Sequence, residues 1–529
     1  MIFYLVYPRI PPALTSWDYA GQMLFKRGGN PPLGLLTMAG MIPRHHQIIF
    51  CDENNSTVNF DQVCDYVCLT GMHLQKNRIK EIAAEFRKRG KKVILGGPSL
   101  MAVPEEYADH IDIRIIGEAE RIWPECLKDL EHGVEKPTYI EAEKVDLRLS
   151  PIPRYDLVST SDYWSVSIQT TRGCPYLCEF CDIITLYGRK PRVKDVAQVI
   201  EELRFVLAMG ARNIFFSDDN FIGDPRYTKS LLLEIIELQK TLDKKFTFYC
   251  QVTINLAKNT ELLELLRLAG CKSVFIGIET PRLASLKETG KVQNLRHDLL
   301  QDVKTIRSYG IMIMSGVVLG FDHDDPTIFH EQLVFLQDAN IPTPLTTMLG
   351  ALPGTPLHQR LVAENRLVED IYTADSYSTN ISPKLMTRKQ LYEGFAWLNE
   401  EMYKPANYTK RILGEIVELE ANPLKKKAFS PLLMICALAW VLMWYVLDKH
   451  RRSLLSVFWQ SVPVVLSRHF DSLEHLVEYL FRYRHVCHIV TSIRSSCTLQ
   501  FGEGPRWEPP LFKAETGEEI PQRISALQK

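Results

Sequence analysis

What this chain lacks says more about it than its average composition. Charge of one sign is missing: 62 Lys and Arg stand against 63 Asp and Glu, a formal net charge of −1, so no global field favours nucleic acid. There is no Ser/His/Asp set in a recognisable motif, no phosphate-binding P-loop and no H-E-x-x-H. Internal repeats and long low-complexity tracts are absent, which excludes solenoids and arrays. The opening run from Met1 to Pro8 has neither a basic leader nor a cleavage site. A cytoplasmic setting is therefore expected, with the 12 Cys as reduced thiols rather than a disulfide framework.

What is present is concentrated in one loop. Arg172-Gly173-Cys174-Pro175-Tyr176-Leu177-Cys178-Glu179-Phe180-Cys181 spells C-x₃-C-x₂-C. Thiolates are soft ligands that suit iron–sulfur clusters, which normally want four. Three leave one iron open to a small molecule. Zinc is the competing reading, but a structural zinc takes four protein ligands, and neither a His nor a fourth Cys lies near. Cys51, Cys64, Cys68, Cys126, Cys271, Cys436, Cys487 and Cys497 are read as packing residues.

At 529 residues and 46% hydrophobic, the chain suits about three domains. In residues 1–145, short apolar runs at Ile2–Tyr7, Gln47–Cys51, Tyr66–Thr70, Lys92–Leu95 and Ile113–Ile116 read as buried strands, and Asn77–Lys88 has helical spacing. The alternation predicts a parallel, doubly wound sheet, flavodoxin- or Rossmann-like, with ligands at the carboxyl ends of its strands. Residues 163–385 resume the β/α alternation, with strands at Asn213–Ser217, Phe246–Thr253, Ser273–Ile278 and Ile311–Leu319 and helices at Val196–Leu207 and Leu262–Leu268. That is the pattern of a partial TIM-like barrel, whose chemistry collects at the same strand ends. Residues 386–529 read as a mainly helical domain. Within it, 429–447 carries no charged side chain and lies between Lys425-Lys426-Lys427 and Lys449-His450-Arg451-Arg452. A second patterned stretch follows at Leu454–Leu466. A core helix, a helix resting on a membrane face and a span are all open for 429–447, because about 20 apolar residues are needed to cross.

At its cysteines the chain resembles the radical S-adenosylmethionine (SAM) enzymes, whose hallmark is C-x₃-C-x-aromatic-C, with Phe180 in the aromatic position. The resemblance implies a [4Fe–4S] cluster on Cys174, Cys178 and Cys181, with SAM on the open iron. It also implies SAM contacts from the residues that follow the barrel strands. Asp218 and Asp219 would meet the ammonium, and Gln251 and Glu279 the ribose and methionine. Gly277 and Gly320 would allow close backbone approach. Helix N-capping is the plain alternative for the carboxylates. Arg189, in the basic turn Tyr187–Arg192, would meet the SAM carboxylate or else be solvated. Tyr187, His323 and His358 are acid–base candidates only.

The first domain resembles the cobalamin-binding domain that precedes many radical SAM modules. The residues that carry the likeness are Pro31-Pro32-Leu33-Gly34, Thr70-Gly71-Met72, Gly96-Gly97-Pro98 and Gly117-Glu118-Ala119-Glu120. Gly71, Met72, Gly96, Gly97, Gly117 and Glu118 would then face cobalamin. The D-x-H-x-x-G motif that ligates cobalt from below is absent, so the resemblance implies a lower face without a protein His. A flavodoxin-like domain with another ligand or none is the alternative.

Asp218-Asp219-Asn220-Phe221-Ile222-Gly223, Leu352-Pro353-Gly354-Thr355-Pro356-Leu357 and the helical tail look like the subgroup that includes hopanoid C-2 methylases. That likeness implies methyl transfer to an unactivated carbon; the apolar tail segment points to a small, apolar substrate such as a hopanoid or another isoprenoid, with a tetrapyrrole or an antibiotic precursor left open. It also implies an external one-electron donor of flavodoxin or ferredoxin type. Radical rearrangement or cyclisation without methyl transfer, and a non-catalytic cobalamin or redox sensor, stand as alternatives. No nucleic-acid partner is expected. Contact with the inner face of the membrane is open.

Overall fold

The structure, a computed structural model, describes residues 1–14, 16, 18–295, 298–368, 377–420, 431–502 and 507–511. Two parallel sheets and a bundle of helices build it. The first sheet holds β1 (Ile2–Tyr7), β2 (Gln47–Asp52), β3 (Tyr66–Thr70), β4 (Lys92–Gly96), β5 (Ile113–Ile116) and β6 (Thr138–Ile140) in the order β2-β1-β3-β4-β5-β6. Five of these are the strands read from the sequence. β6 was not read, because three residues are too few for periodicity to show. Both faces are covered: Val67 and Leu69 pack with Ile79, Ile82 and Phe86 of the helix Lys76–Lys88, while Phe3, Leu5 and Cys68 pack against Trp123 of Ala119–His132. Burial on both sides is why these strands are continuous apolar runs rather than alternating ones. The order turns back at β1, which pairs with β2 on one side and β3 on the other, and at such a reversal a crevice opens at the strand ends.

The second sheet runs consecutively through β7 (Val166–Ile168), β8 (Asn213–Phe216), β9 (Thr247–Val252), β10 (Cys271–Glu279), β11 (Met312–Leu319) and β12 (Leu345–Met348). Every pair is parallel, a half-barrel with a wall missing. The two edge strands, β7 and β12, were not read from the sequence. Alternate residues point inward: Phe215 on β8, Tyr249 and Gln251 on β9, Phe275 on β10 and Met314 on β11 line one cavity.

Five long helices follow: Arg388–Met402, Pro405–Glu420, Pro431–Leu447, Arg451–Arg468 and Leu473–Phe501. The last, 29 residues and so about 44 Å long, packs against the short helix Asp18–Met23, where His485 Nε2 lies 2.9 Å from the Ala13 carbonyl. The same helix crosses the foot of the half-barrel, where Glu478 accepts from Lys272 at 2.8 Å. Lys425, Lys426, Lys427, Phe429 and Ser430 lie outside the described residues. No helix among the described residues is long and apolar enough to cross a membrane. Cys436 is exposed, so the packing role expected of it fails, whereas Cys51, Cys64, Cys68, Cys126, Cys271, Cys487 and Cys497 are buried.

A buried ion pair fastens the tail to the barrel. Arg307 Nε donates to Glu415 Oε1 at 3.1 Å, and both side chains are fully covered. Arg307 also donates to Glu418 at 2.7 Å and to the Asn340 carbonyl at 2.9 Å, while Glu415 accepts from the Ile313 amide of β11 at 3.3 Å. Removing one partner of such a pair strands the other charge without water. Arg307→Met should therefore cost about 3–5 kcal/mol, read as a lower urea midpoint of the metal-free protein.

Candidate active site

The cluster loop leaves β7 and is pinned at several points before it reaches Cys181. Asp218, just past β8, is fully buried and accepts from the Thr170 amide at 2.6 Å, the Thr170 hydroxyl at 2.5 Å and the Thr171 amide at 2.9 Å. Asp219 accepts from the Gly173 amide at 2.7 Å. Burial pushes both carboxyls up, each to about 6, and these hydrogen bonds oppose the shift. Neither caps a helix; Asp224 does, accepting from the Arg226 and Tyr227 amides. Gly173 has φ of +97°, and a Cβ there would meet the Gly188 and Lys190 carbonyls at 2.9 Å, so the loop demands glycine one residue before Cys174.

From the far side the segment 289–293 closes on the loop. The Glu179 amide donates to the Thr289 carbonyl at 2.9 Å. Gln293 Nε2 approaches Cys178 Sγ at 3.5 Å, and Lys291 Nζ donates to Glu279 Oε1 at 2.5 Å while lying 5.9 Å from the Phe180 ring centre. Burial works against the Lys291 ammonium, but Glu279 and the sulfurs of Cys178 and Cys181 outweigh it and hold its pKa above the ordinary value. Glu279 takes φ of +65° at a break in the β10–β11 register, a strained conformation for a residue with a side chain. The space above Gly277 is filled by the Glu279–Lys291 pair, and that above Gly320 by Leu391. These two glycines make room for side chains of the protein itself.

The thiols fit a cluster better than one ion. Among the described residues, the sets of three or more ligand-type groups with all donor atoms within 4.8 Å are His45–His46–Glu131 and Asp448–His450–His488. The three cysteines are not such a set. At least one pair of their sulfurs therefore stands more than 4.8 Å apart, wider than a single tetrahedral zinc, with Zn–S of about 2.3 Å, would draw them. Burial pushes the Cys181 thiol up to about 12, and a metal bound there would favour the thiolate instead.

A second group of charges joins this loop to the first sheet. Arg172 donates to Glu118 Oε2 at 2.9 Å and Glu120 Oε1 at 2.6 Å; Arg192 donates to the same Glu118 oxygen at 2.7 Å. Glu118 Oε1 is buried without a partner. Gly97 (φ +96°) and Gly117 (φ +110°) turn the ends of β4 and β5 where no side chain fits: a Cβ would strike the Thr70 hydroxyl and the Glu141 carbonyl. Gly71 is likewise crowded by Ile79 and Gln75, whereas Gly96 has ordinary space. Met72, 54% exposed, lines the same cavity as Gln251. Of the residues at the carboxyl ends of the first sheet, Met72 lines the lumen of the half-barrel, a space of about 750 Å³, whereas Gly117 and Glu118 line a separate one of about 130 Å³. Thr171 Oγ1, Asn220 Oδ1 past β8, Gln293 Oε1 and Asn294 Oδ1 on the short helix Val292–Leu295, and Ser315 Oγ within β11 are buried without hydrogen-bond partners, an arrangement that wants a polar ligand.

Not every expected residue gathers here. Arg189 is exposed, and among the described residues it donates to the Pro175 carbonyl, at 3.5 Å. Tyr187, His323 and His358 are not among the residues lining the cavity. Lys291, Gln293 and Arg172 were missed. The one available signal was Gly290 beside Lys291: with φ of +67° it lies under the Leu177 carbonyl of the cluster loop.

The three-cysteine loop at the mouth of a parallel half-barrel defines a radical SAM protein, and the Radical SAM superfamily description matches residues 168–330. A domain of unknown function matches residues 355–498. An uncharacterized methyltransferase of Synechocystis sp. is 34% identical over 91% of this chain and 92% of its own length. The hopanoid C-2 methylase of Rhodopseudomonas palustris is 36% identical over 79% of this chain and 80% of its own. In fold, the radical SAM methyltransferase TsrM of Kitasatospora setae, solved with cobalamin and a [4Fe-4S] cluster bound, superposes with a TM-score of 0.61 at 14% identity, covering 94% of this chain and 99% of that one. This chain belongs to the radical SAM family that includes these methyltransferases.

Gln293→Leu should leave iron and sulfide content intact while removing an N–H···S contact to Cys178. Hydrogen bonds to cluster sulfurs raise the potential, so an EPR-monitored titration should find the variant's midpoint more negative than the parent's.

Proposed function

We propose that this protein transfers a methyl group to an unactivated carbon of an apolar substrate with a polar end, a hopanoid or a related isoprenoid. The observation that carries this is the lumen itself. Phe215, Tyr249, Phe275 and Met314 make its wall, with Phe215 and Tyr249 stacked at 4.6 Å. At its foot, Lys272, Glu478 and Arg482 form a chain of ion pairs. A greasy body and a polar terminus fit such a shape, and about 750 Å³ is the size of a small-molecule site.

In this reading Cys174, Cys178 and Cys181 hold the cluster. Asp219, Gln251 and the unpartnered polar atoms at the strand ends hold SAM. Gly71, Met72, Gly96, Gly97 and Gly117 floor the cobalamin site. Once bound, these groups supply one-electron cleavage of a C–H bond and a carrier for the methyl group. The chain's own residues do the positioning. Asp218 holds the loop by three hydrogen bonds, and Lys291 offsets the negative charge that gathers beside Cys178 and Cys181. The aromatic wall keeps water from the reacting carbon. Electrons come from outside, from a flavodoxin- or ferredoxin-type donor.

The test is anaerobic incubation of the reconstituted protein with SAM, a reductant and a hopanoid. Methylated lipid should form in step with S-adenosylhomocysteine and 5′-deoxyadenosine. Deoxyadenosine without S-adenosylhomocysteine would instead mean rearrangement. Cys178→Ala should lose cluster iron and abolish SAM cleavage; cleavage at the parent rate would refute the ligand set. Phe275→Glu, which puts a charge into the lumen wall, should raise KM for the lipid by about tenfold or more, while the slow SAM cleavage seen without substrate is unchanged.

A further inference from the structure

The helix Pro431–Leu447 is apolar all round, yet the protein covers only one stripe of it. Met434, Leu438, Val441 and Tyr445 are buried, at the spacing of a single helix face. Leu432, Leu433, Ile435, Met443, Val446 and Leu447 are between 42% and 77% exposed. Helices apolar on every side belong in a core or against lipid, and contiguous exposed apolar surface marks a docking site. At 17 residues the helix is about 26 Å long, too short to span the roughly 30 Å hydrocarbon core.

Two neighbouring features say what covers it. Lys449, Arg451 and Arg452, directly after the helix, are all exposed, and Trp459 on the next helix is 60% exposed. Basic residues with Trp beside an apolar face suit the boundary of an anionic bilayer. The face also runs to the lip of the lumen. Trp440 donates its indole N–H to the Met23 carbonyl at 2.7 Å, its ring lies 5.6 Å from that of the 76%-exposed Phe25, and Ala20 and Lys26 on the same segment line the cavity.

We infer that the outward face of Pro431–Leu447, with Phe25, Trp459 and the Lys449–Arg452 cluster, seats the protein flat on an anionic membrane with the lumen opening toward the lipid. Seating itself stands on the surface; its use, delivery of a membrane-resident substrate, rests on the proposed function. The full-length protein should co-sediment with phosphatidylcholine–phosphatidylglycerol vesicles, and less with phosphatidylcholine alone or at high salt. The double variant Leu433→Glu/Ile435→Glu, altered only on the exposed face, should bind about tenfold or more weaker. The triple variant Lys449→Gln/Arg451→Gln/Arg452→Gln should lose the preference for anionic lipid. Parent protein that stays in solution with both vesicles, or a double variant that binds like the parent, would overturn the inference. So would a parent dimer, seen by light scattering without vesicles, that the double variant dissociates, because the face would then join two copies. No readout involves SAM turnover, so failure of the proposed reaction and failure of docking are told apart.

Discussion

Arg172 carries its charge where little water reaches, and the arrangement of the active centre follows from how that charge is paired. Two residues before Cys174, it meets Glu118 and Glu120 of the first sheet's β5 turn. A buried guanidinium left alone would cost several kcal/mol; paired in this way it ties the cluster loop to the neighbouring domain. Arg192 closes the same loop from its other end on the same Glu118 oxygen. These pairs hold the end of β5 against the three-cysteine loop.

Within that frame the carboxylates past β8 act on the backbone. Asp218 spends its oxygens on Thr170 and Thr171, and Asp219 reaches the Gly173 amide. Strain and burial collect around them: Glu279 at positive φ, Lys291 locked against it, and Gln293 beside Cys178. In the proposed role, three sulfurs presented to one side of a cluster with the other side open need a stiff loop. These contacts supply it.

The remaining wall of the half-barrel is borrowed. The six strands form only an open sheet, and the stretch around Leu14 to Asn30 and the final long helix complete the lumen. Glu478, Arg482 and His485 of that helix line the cavity although they stand some three hundred residues after Cys174. The domain of unknown function that matches residues 355–498 thus contributes to the wall of the lumen. It also presents an apolar surface to the outside.

The β/α period, the doubly wound first sheet and the three-cysteine loop were legible in the residues because each depends on neighbours in the chain. Apolar runs of strand length show themselves, and C-x₃-C-x₂-C is a spacing along one loop. The strands β6 and β7 escaped because three residues carry no period, and β12 because Leu345-Thr346-Thr347-Met348 is not a continuous apolar run. The partners of the loop escaped for a different reason. Lys291 and Gln293 lie over a hundred residues beyond Cys178, Glu118 some fifty before Arg172, and nothing in a linear pattern pairs them. Likewise Arg189, expected either to meet the SAM carboxylate or to be solvated, is exposed, and the guanidinium paired with the first sheet is that of Arg172. By itself the sequence determined which chemistry is present, since ligand type and spacing are properties of consecutive residues. Tertiary structure alone decided which charges compensate one another and what shape the lumen takes, because desolvation and packing depend on which distant segments share a space.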